Sequence, residues 1–185
     1  MLDPAVIVRL ASTSQLTARQ LGEIRALMDV AFAGDEHGGF DDDDWEHALG
    51  GMHFVAEEDN LIVGHASVVE RTLHAGGRPL RTGYVEAVAV APIRQGVGIG
   101  TAVMRAVNTY LLPRFELAAL GTGSQGFYER LGWQIWRGPS SVRAGDGEQP
   151  TPEDDGYIMV LLTPSSPPLD LGTALSCDWR PGDVW

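Results

Sequence analysis

The chain has 185 residues, of which 25 are acidic and 13 are basic, so its formal net charge at pH 7 is −12. An apolar share of 44% with five Trp, five Phe and four Tyr can bury a core, which argues against disorder despite the charge. An acidic chain is a poor partner for nucleic-acid phosphates. All 13 basic residues are Arg, and without Lys neither Schiff-base chemistry nor a Walker-type phosphate loop is available.

Cysteine and targeting signals narrow the class further. Cys177 is the only cysteine, so the sequence offers no internal disulfide and no paired-cysteine metal knuckle. The first residues lack a signal-peptide pattern, no apolar run approaches membrane-spanning length, and the histidines form no His-Glu-x-x-His pattern. We therefore expect a soluble, cytoplasmic, metal-free protein with a single domain over residues 1–185.

The first half of the chain predicts strands with helices between them. Thr17 and Gln20 have the spacing of a capping box, which marks the start of a helix. The predicted elements in chain order are a strand at 6–10, a helix ending near Phe32, a short helix around Trp45 after an acidic loop, strands at 52–56 and 61–71 joined by a turn at 57–60, and a strand at 80–90.

The second half continues this alternation. The predicted elements are a helix from Gly98 to Pro113, a strand at 117–120, a short helix at 124–131, and strands at 133–136 and 157–162. Residues 138–152 are predicted to be a loop rich in Gly, Pro and Ser, and residues 164–185 an irregular tail. Strands and helices in both halves indicate a mixed α/β domain.

A glycine-rich turn, Gln95-Gly96-Val97-Gly98-Ile99-Gly100, follows the strand at 80–90 and opens the next helix. Glycines let backbone N–H groups approach an anion closely, and a helix N-terminus adds positive potential. The turn therefore predicts a cradle for a pyrophosphate, although glycines can also merely shape a turn. A dinucleotide fingerprint fits poorly, because the third glycine comes one residue early and the turn lies in the middle of the chain.

The turn and two nearby segments resemble the GNAT acetyltransferases. The turn matches their Gln/Arg-x-x-Gly-x-Gly/Ala signature, Tyr84-Val85-Glu86-Ala87-Val88-Ala89-Val90 resembles their fourth strand, and Phe127-Tyr128-Glu129-Arg130-Leu131-Gly132-Trp133 resembles their second motif. The resemblance implies an α+β GNAT acetyltransferase fold, with a central, mostly antiparallel twisted sheet flanked by helices. It also implies acetyl-CoA as the cosubstrate.

Further segments are similar to the aminoglycoside 2′-N-acetyltransferases of mycobacterial type. They are Ala31-Phe32-Ala33-Gly34-Asp35, Asp44-Trp45-Glu46-His47, Gly83-Tyr84-Val85-Glu86 and Cys177-Asp178-Trp179-Arg180-Pro181-Gly182-Asp183-Val184-Trp185. This resemblance spans nearly the whole chain and implies acetyl transfer to the 2′-amine of aminoglycoside antibiotics, with resistance as a result, by a homodimer. Residues 121–124 depart from the family's polar loop, so no substrate contact is carried over to them.

The resemblance also implies roles for individual residues. Glu86 would collect the ammonium proton of the acceptor, directly or through water, and Tyr128 would protonate or hydrogen-bond the coenzyme A thiolate. A backbone N–H near Val88 would polarise the acetyl carbonyl. The residues implied to bind acetyl-CoA are Val88, Ala89, Val90, Gln95, Gly96, Val97, Gly98, Ile99, Gly100 and Thr101. Those implied to bind the acceptor are Asp35, Asp44, Glu86, Ala87, Asp154, Asp155, Asp183 and, through its terminal carboxylate, Trp185, with the tail at 164–185 contributing to the acceptor site.

Simpler interpretations stay open beside these roles. Glu86 can cap a neighbouring group on its strand, Tyr128 can be a core tyrosine, and Asp41, Asp42 and Asp43 are predicted to be solvated surface acids. One alternative function is a GNAT enzyme for another amine, such as a polyamine, an amino sugar or a cell-envelope or thiol metabolite. The other is a non-catalytic protein that binds acyl-CoA or the drug.

Overall fold

The computed structural model describes residues 6–34, 39–145 and 147–185. These described residues form ten strands and four α-helices. The strands are β1 (Ile7–Ser12), β2 (Met52–Glu58), β3 (Leu61–Ala75), β4 (Arg78–Val90), β5 (Leu117–Gly121), β6 (Gln134–Ile135), β7 (Ser140–Ala144), β8 (Gly147–Pro150), β9 (Ile158–Leu162) and β10 (Leu175–Asp178). The helices are α1 (Ala18–Ala31), α2 (Asp42–Ala48), α3 (Ile99–Leu111) and α4 (Gln125–Glu129).

Packing divides the chain into two compact units. The first unit comprises residues 1–69 and 85–109, and the second comprises residues 70–84 and 110–185. Strands β3 and β4 contribute residues to both units. The single domain over 1–185 stays a prediction.

In the first unit, β1 pairs antiparallel with β2, and β2 pairs antiparallel with β3. The hairpin turn is made by Asp59 and Asn60, which both have positive φ, as a two-residue type I′ turn requires. Helix α1 begins with the predicted capping box, in which the Thr17 side chain accepts from the N–H of Gln20. The helix buries Ile24, Leu27 and Met28 in a core cluster that includes Val55 of β2 and Ala89 of β4.

Helix α3 lies close to β3 within the first unit. A Cβ added to Gly64 would stand 2.8 Å from Ile99 Cγ2 and 3.5 Å from Val103 Cγ2. The missing side chain at Gly64 therefore lets the first turn of α3 approach the strand. This contact holds the N-terminus of α3, which follows the glycine-rich turn.

In the second unit, β4 pairs in parallel with β5, and β5 and β6 each pair antiparallel with β9. The end of β3 pairs antiparallel with β10, which pairs in parallel with β7, and β7 pairs antiparallel with β8. Gly83 of β4 faces the core of this unit, because a Cβ there would stand 2.3 Å from Leu111 and 2.8 Å from Phe115. Any side chain at position 83 would therefore collide with Leu111 and Phe115, so glycine is needed there for steric reasons.

Two of the predicted irregular segments contain regular structure. The prediction of a loop at 138–152 is wrong, because β7 and β8 form a hairpin there. A 3₁₀ turn at Pro152–Asp154 follows the hairpin. The tail predicted as irregular at 164–185 contains β10, whose residues Leu175, Ser176 and Cys177 are buried. The parallel pairing of β10 with β7 orders both segments at once.

Candidate active site

The glycine-rich turn connects β4 to α3 in the first unit. Gly96 and Gly98 have φ of 78° and 95°, a conformation that favours glycine, and no atom lies within 4 Å of a Cβ added to either. Residues 95–98 are exposed, while Ile99 is buried at the start of α3. The side-chain amide of Gln95 donates to the carbonyl of Val90 at 3.3 Å and so braces the turn against the end of β4. Exposed backbone at the start of a 13-residue helix fits a pyrophosphate.

Arg94, the cation beside this turn, is paired with a carboxylate. Its guanidinium binds Glu58 of β2, which is largely buried. The pair offsets the positive charge of Arg94, so the potential at the turn comes mainly from backbone amides and the N-terminus of α3. The chain has no lysine that could supply further positive charge at the turn.

The extended backbone of strand β4 is interrupted by a positive φ at Ala87. This alanine has a φ of 50°, which for a residue with a Cβ is a strained conformation. Glu86, Ala87, Val88 and Val90 are half-buried, and Ala89 is buried. The carbonyl of Glu86 accepts from Ser67 Oγ at 3.4 Å, and the carbonyl of Ala87 is 2.8 Å from His65 Nδ1. The structure thus brings the predicted residues 86–90 together with the turn at 95–98 in one unit.

We expect Ala87→Gly to stabilise the protein by about 0.5–1 kcal/mol, because glycine adopts a positive φ without the Cβ penalty. The melting temperature followed by circular dichroism should rise by about 1–4 °C. The control is Ala89→Gly, at a buried position of the same strand without a positive φ, which should lower the melting temperature. A lower melting temperature for Ala87→Gly would contradict the strain at this residue.

Tyr128 lies in α4 of the second unit, with its ring in the core. The side chain is 6% exposed and makes edge-on contacts with the rings of Phe127 and Trp133, whose centroids are 4.9 and 6.1 Å away. Burial raises the pKa of Tyr128 to about 12. The phenol therefore stays protonated at every physiological pH, as a hydrogen-bond donor must.

The second unit also contains three of the six acidic residues predicted to bind the acceptor, together with Trp185. Trp185 is buried, its indole N–H donates to Thr151 Oγ1 at 2.9 Å, and its backbone N–H donates to Asp183 Oδ1 at 3.1 Å. Asp155 Oδ1 accepts from the N–H and the hydroxyl of Ser140 at 2.7 and 2.8 Å. We call Asp154, Asp155 and Asp183 the acidic cluster.

Asp154 is the member of the acidic cluster whose ionisation is most affected. Burial, followed by the negative charge of Asp183, raises the pKa of Asp154 to about 6, although a hydrogen bond with Thr151 opposes the rise. A carboxylate held half-buried among like charges is poorly solvated in its ionised form. The resemblance assigns the family's substrate contact to Asp155, with Asp154 as its neighbour of lesser weight. In the structure Asp155 Oδ1 accepts from Ser140, and acceptor binding by either residue stays a prediction.

The remaining predicted acids belong to the region around α2. Asp35 lies outside the described residues. Asp44 is half-buried, and its Oδ2 accepts from the N–H of Asp41 at 3.0 Å in a capping box. Asp41, Asp42 and Asp43 are exposed as predicted, although Asp41 caps α2 and Asp42 pairs with Arg25 at 3.1 Å. Acceptor binding by Asp44 stays a prediction.

Two buried histidines beside Ala87 were not predicted as functional. His53 and His65 are fully buried in β2 and β3, and His53 Nδ1 is 2.9 Å from His65 Nε2. The available signal was a pair of histidines in two apolar strands of one hairpin.

The described part of the chain contains neither a group of metal ligands nor a membrane-spanning helix. Within it, no three His, Cys, Asp or Glu side chains are grouped as metal ligands would be. None of the helices formed by residues 6–34, 39–145 and 147–185 has the length and apolar character needed to cross a membrane.

Comparison with known proteins identifies the family. The model of the acetyltransferase (GNAT) family matches residues 21–133. An aminoglycoside 2′-N-acetyltransferase from Mycolicibacterium fortuitum is 43% identical over 181 residues, which cover 96% of this chain and 91% of that protein. This identity confirms the resemblance drawn from the sequence.

Solved structures agree on the fold. A GNAT family acetyltransferase from Brucella melitensis in complex with acetyl-CoA has a TM-score of 0.60 and 22% identity, covering 88% of this chain and 92% of that one. A GNAT family N-acetyltransferase from Escherichia coli in complex with CoA has a TM-score of 0.61 and 15% identity, covering 96% and 93%. The predicted fold class is thereby confirmed, and the chain belongs to the GNAT acetyltransferase family, as a relative of the aminoglycoside 2′-N-acetyltransferases.

Proposed function

We propose that this protein transfers the acetyl group of acetyl-CoA to the 2′-amino group of an aminoglycoside by direct attack of the amine. The observation that carries the proposal is the acidic cluster, in a chain that is 43% identical to an aminoglycoside 2′-N-acetyltransferase. An aminoglycoside is a polycation covered in hydroxyl groups, so it requires negative charge and hydrogen-bond acceptors from its binding site.

Several carboxylates are needed to hold such a ligand. An exposed ion pair contributes about 0–1 kcal/mol, whereas micromolar affinity requires about 8 kcal/mol. Carboxylates that are partly desolvated interact more strongly with a cation, and Asp154 is in this condition. We therefore assign the main acceptor contacts to Asp154 and Asp183, with Asp155, Asp44 and the backbone of Trp185 as further acceptors.

The cofactor side is assigned to the first unit. The N–H groups of residues 96–100 would hold the pyrophosphate, because this turn is exposed and opens α3. The backbone of Val88 and Val90 would pair with the pantetheine arm, and the Val88 N–H would stabilise negative charge on the thioester oxygen. Acetyl-CoA itself supplies an activated acyl group with a thiolate leaving group.

Glu86 and Tyr128 are assigned to the proton transfers. Glu86 would accept the proton of the amine, directly or through water. Because burial raises the pKa of Tyr128 to about 12, its phenol gives up a proton less readily than a free tyrosine does. Tyr128 is therefore assigned to hydrogen-bonding the departing thiolate, with protonation of the thiolate as the alternative role.

The test of this function is an acceptor assay that follows thiol release from acetyl-CoA. Tobramycin and gentamicin carry a 2′-amine and should be acetylated, whereas kanamycin A carries a 2′-hydroxyl and should react far more slowly. The product should carry the acetyl group on the 2′-nitrogen, and Glu86→Gln should lose most of the activity.

Other outcomes of the assay would overturn the proposal. Equal rates with kanamycin A would exclude the 2′-amine as the reactive group. A much higher turnover with a polyamine, an amino sugar or a thiol metabolite would favour a different acceptor. Tight binding without thiol release, unchanged in Glu86→Gln, would indicate a non-catalytic binding protein.

The homodimer, the cytoplasmic location and drug resistance belong to the same proposal. Light scattering after size exclusion would measure the mass of the assembly against the 19.9 kDa of one chain. Expression of the protein in a susceptible bacterium should raise the inhibitory concentration of tobramycin more than that of kanamycin A.

A further inference from the structure

A chain of hydrogen bonds within the first unit begins at Gly50 and ends at the carbonyl oxygen of Ala87 in β4. The N–H of Gly50 donates to Thr13 Oγ1 at 2.9 Å, and this oxygen is 2.7 Å from His53 Nε2. His53 Nδ1 is 2.9 Å from His65 Nε2, and His65 Nδ1 is 2.8 Å from the carbonyl oxygen of Ala87. All five residues belong to the same unit.

The last acceptor determines the direction of every bond in this chain. A carbonyl oxygen only accepts, so His65 Nδ1 must carry a proton and donate it to Ala87. In a neutral ring, His65 Nε2 then accepts from His53 Nδ1–H, and His53 Nε2 accepts from the hydroxyl of Thr13. Both rings are neutral, because burial lowers the pKa of His65 to about 3 and that of His53 to about 4.

This arrangement orients a group and does not relay protons. The chain ends on an amide carbonyl, which accepts a hydrogen bond but passes no proton on. Its effect falls on the peptide bond between Ala87 and Val88. Because a peptide is planar and trans, its C=O and N–H point in opposite directions. A donor that fixes the Ala87 carbonyl therefore also fixes the direction of the Val88 N–H.

The backbone conformation at Ala87 depends on the contacts around it. Ala87 has a φ of 50°, which is unfavourable for an alanine and persists only where surrounding contacts enforce it. The bond from His65 is such a contact, and His65 is held in turn by His53 and Thr13.

We propose that His65, held by His53, is a positioning residue that fixes the Ala87–Val88 peptide and so aims the Val88 N–H for acetyl transfer. The proposal rests on the proposed function, in which this N–H stabilises charge on the thioester oxygen. The two histidines contact no reacting atom. They act through the backbone of β4.

The kinetic test compares two substitutions of His65. His65→Leu removes the donor to Ala87 and should lower kcat by about 10- to 100-fold, with the KM for acetyl-CoA within about threefold of wild type. This loss is somewhat smaller than the loss expected if the Val88 N–H itself were removed. His65→Asn should recover activity to within about fivefold of wild type, because the Asn amide nitrogen occupies nearly the place of Nδ1.

The matched control is Val55→Ala. Val55 stands opposite His65 in the register of β2 and β3 and is fully buried, so its truncation loosens the same region without touching the hydrogen bonds. Its kcat should stay within about threefold of wild type at a temperature well below unfolding. Equal losses of kcat in Val55→Ala and His65→Leu, or no recovery in His65→Asn, would overturn the proposal.

A second measurement uses the wild-type protein and does not depend on catalysis. Nitrogen-15 NMR of labelled histidine should show both buried rings as neutral Nδ1–H tautomers at pH 7. An Nε2–H tautomer or an imidazolium at His65 would overturn the arrangement. If the wild-type protein released no thiol with any amine, the proposed function would fail, while this NMR result would still decide whether His65 holds the Ala87 carbonyl.

Discussion

Tyr128→Phe should lower kcat for acetyl transfer by about 100-fold, with the KM values for acetyl-CoA and for the aminoglycoside within about threefold of wild type. The substitution removes only the hydroxyl group and keeps the ring that packs against Phe127 and Trp133. A loss confined to kcat is the signature of an interaction made when the thiolate departs and not in the ground state. Steady-state kinetics with tobramycin as acceptor would measure it.

The pH dependence sharpens this prediction. Because burial raises the pKa of Tyr128 to about 12, the neutral donor is present throughout the range from pH 6 to pH 10. The wild-type rate should therefore show no loss from ionisation of Tyr128 in this range. The profile of Tyr128→Phe should be lower by a constant factor and keep the same shape.

Tyr110→Phe is the control, since it removes a phenol hydroxyl from the half-buried side chain of Tyr110 in α3. Its kcat should stay within about twofold of wild type. An unchanged kcat in Tyr128→Phe, or a change confined to KM, would contradict the assignment of Tyr128 to thiolate departure.

The strands and helices with strong local signals were predictable from the sequence. The capping box at Thr17 and the helical stripe that begins after the glycine turn specify α1 and α3 through contacts within a few residues. The turn predicted at 57–60 indicates the β2–β3 hairpin in the same way, although in the structure β2 continues to Glu58 and the turn is confined to Asp59 and Asn60. Local interactions determine these elements, and a sequence records them directly.

Strands β7 and β10 were missed because their stability comes from distant partners. Ser140 and Ser141 are buried in β7, which no apolar pattern would predict. Ser140 Oγ lies 2.7 Å from the carbonyl oxygen of Thr151, and Cys177 of β10 stands beside Val142 in the parallel register. Pairing with another strand overrides local propensity here.

The histidine pair depends on a feature that the sequence does not reveal. With the turn at Asp59 and Asn60, a regular hairpin would continue the pairing of Glu58 with Leu61 and would place His53 and His65 on opposite faces. A register shift between Ala56 and Glu57 changes the pairing by one residue, so that His65 stands opposite Val55 and both rings lie on one face. Only the structure shows this irregularity, and with it the support for Ala87.

Asp154→Asn should weaken aminoglycoside binding by about tenfold at pH 7.5, because it removes a partly desolvated charge that a cation would satisfy. The same substitution should leave the protein at least as stable as wild type. A folded-state pKa near 6, above the value of about 3.9 for a free Asp, means that folding disfavours the charged form. The penalty is present at neutral pH and disappears as the pH falls below about 4, so the melting temperatures of the two proteins should converge there.

Binding should depend on pH in the opposite direction to stability, because it weakens as the pH falls. The ionised fraction of a carboxylate with a pKa near 6 falls from nearly all at pH 7.5 to about a tenth at pH 5. If the neutral form binds about tenfold more weakly, as expected for Asp154→Asn, the apparent Kd for tobramycin should rise about fivefold over this range. The comparison with Asp154→Asn separates the contribution of the protein from the change in the charge of the drug over this range. In Asp154→Asn this contribution to the pH dependence should vanish.

Glu153→Gln provides the matched control, because Glu153 lies one residue away in the same 3₁₀ turn, is exposed, and loses the same unit of charge. Titration calorimetry should find its Kd for tobramycin within about twofold of wild type, because an exposed carboxylate contributes little. Asp183→Asn tests the coupling within the acidic cluster, because removing the charge of Asp183 should lower the pKa of Asp154 and shift the pH step in Kd below 6. Equal weakening in Glu153→Gln and Asp154→Asn would mean that only the net charge of −12 attracts the drug. Selective weakening in Asp154→Asn would mean that a single half-buried carboxylate, destabilising in the free protein, is retained because the cation neutralises it.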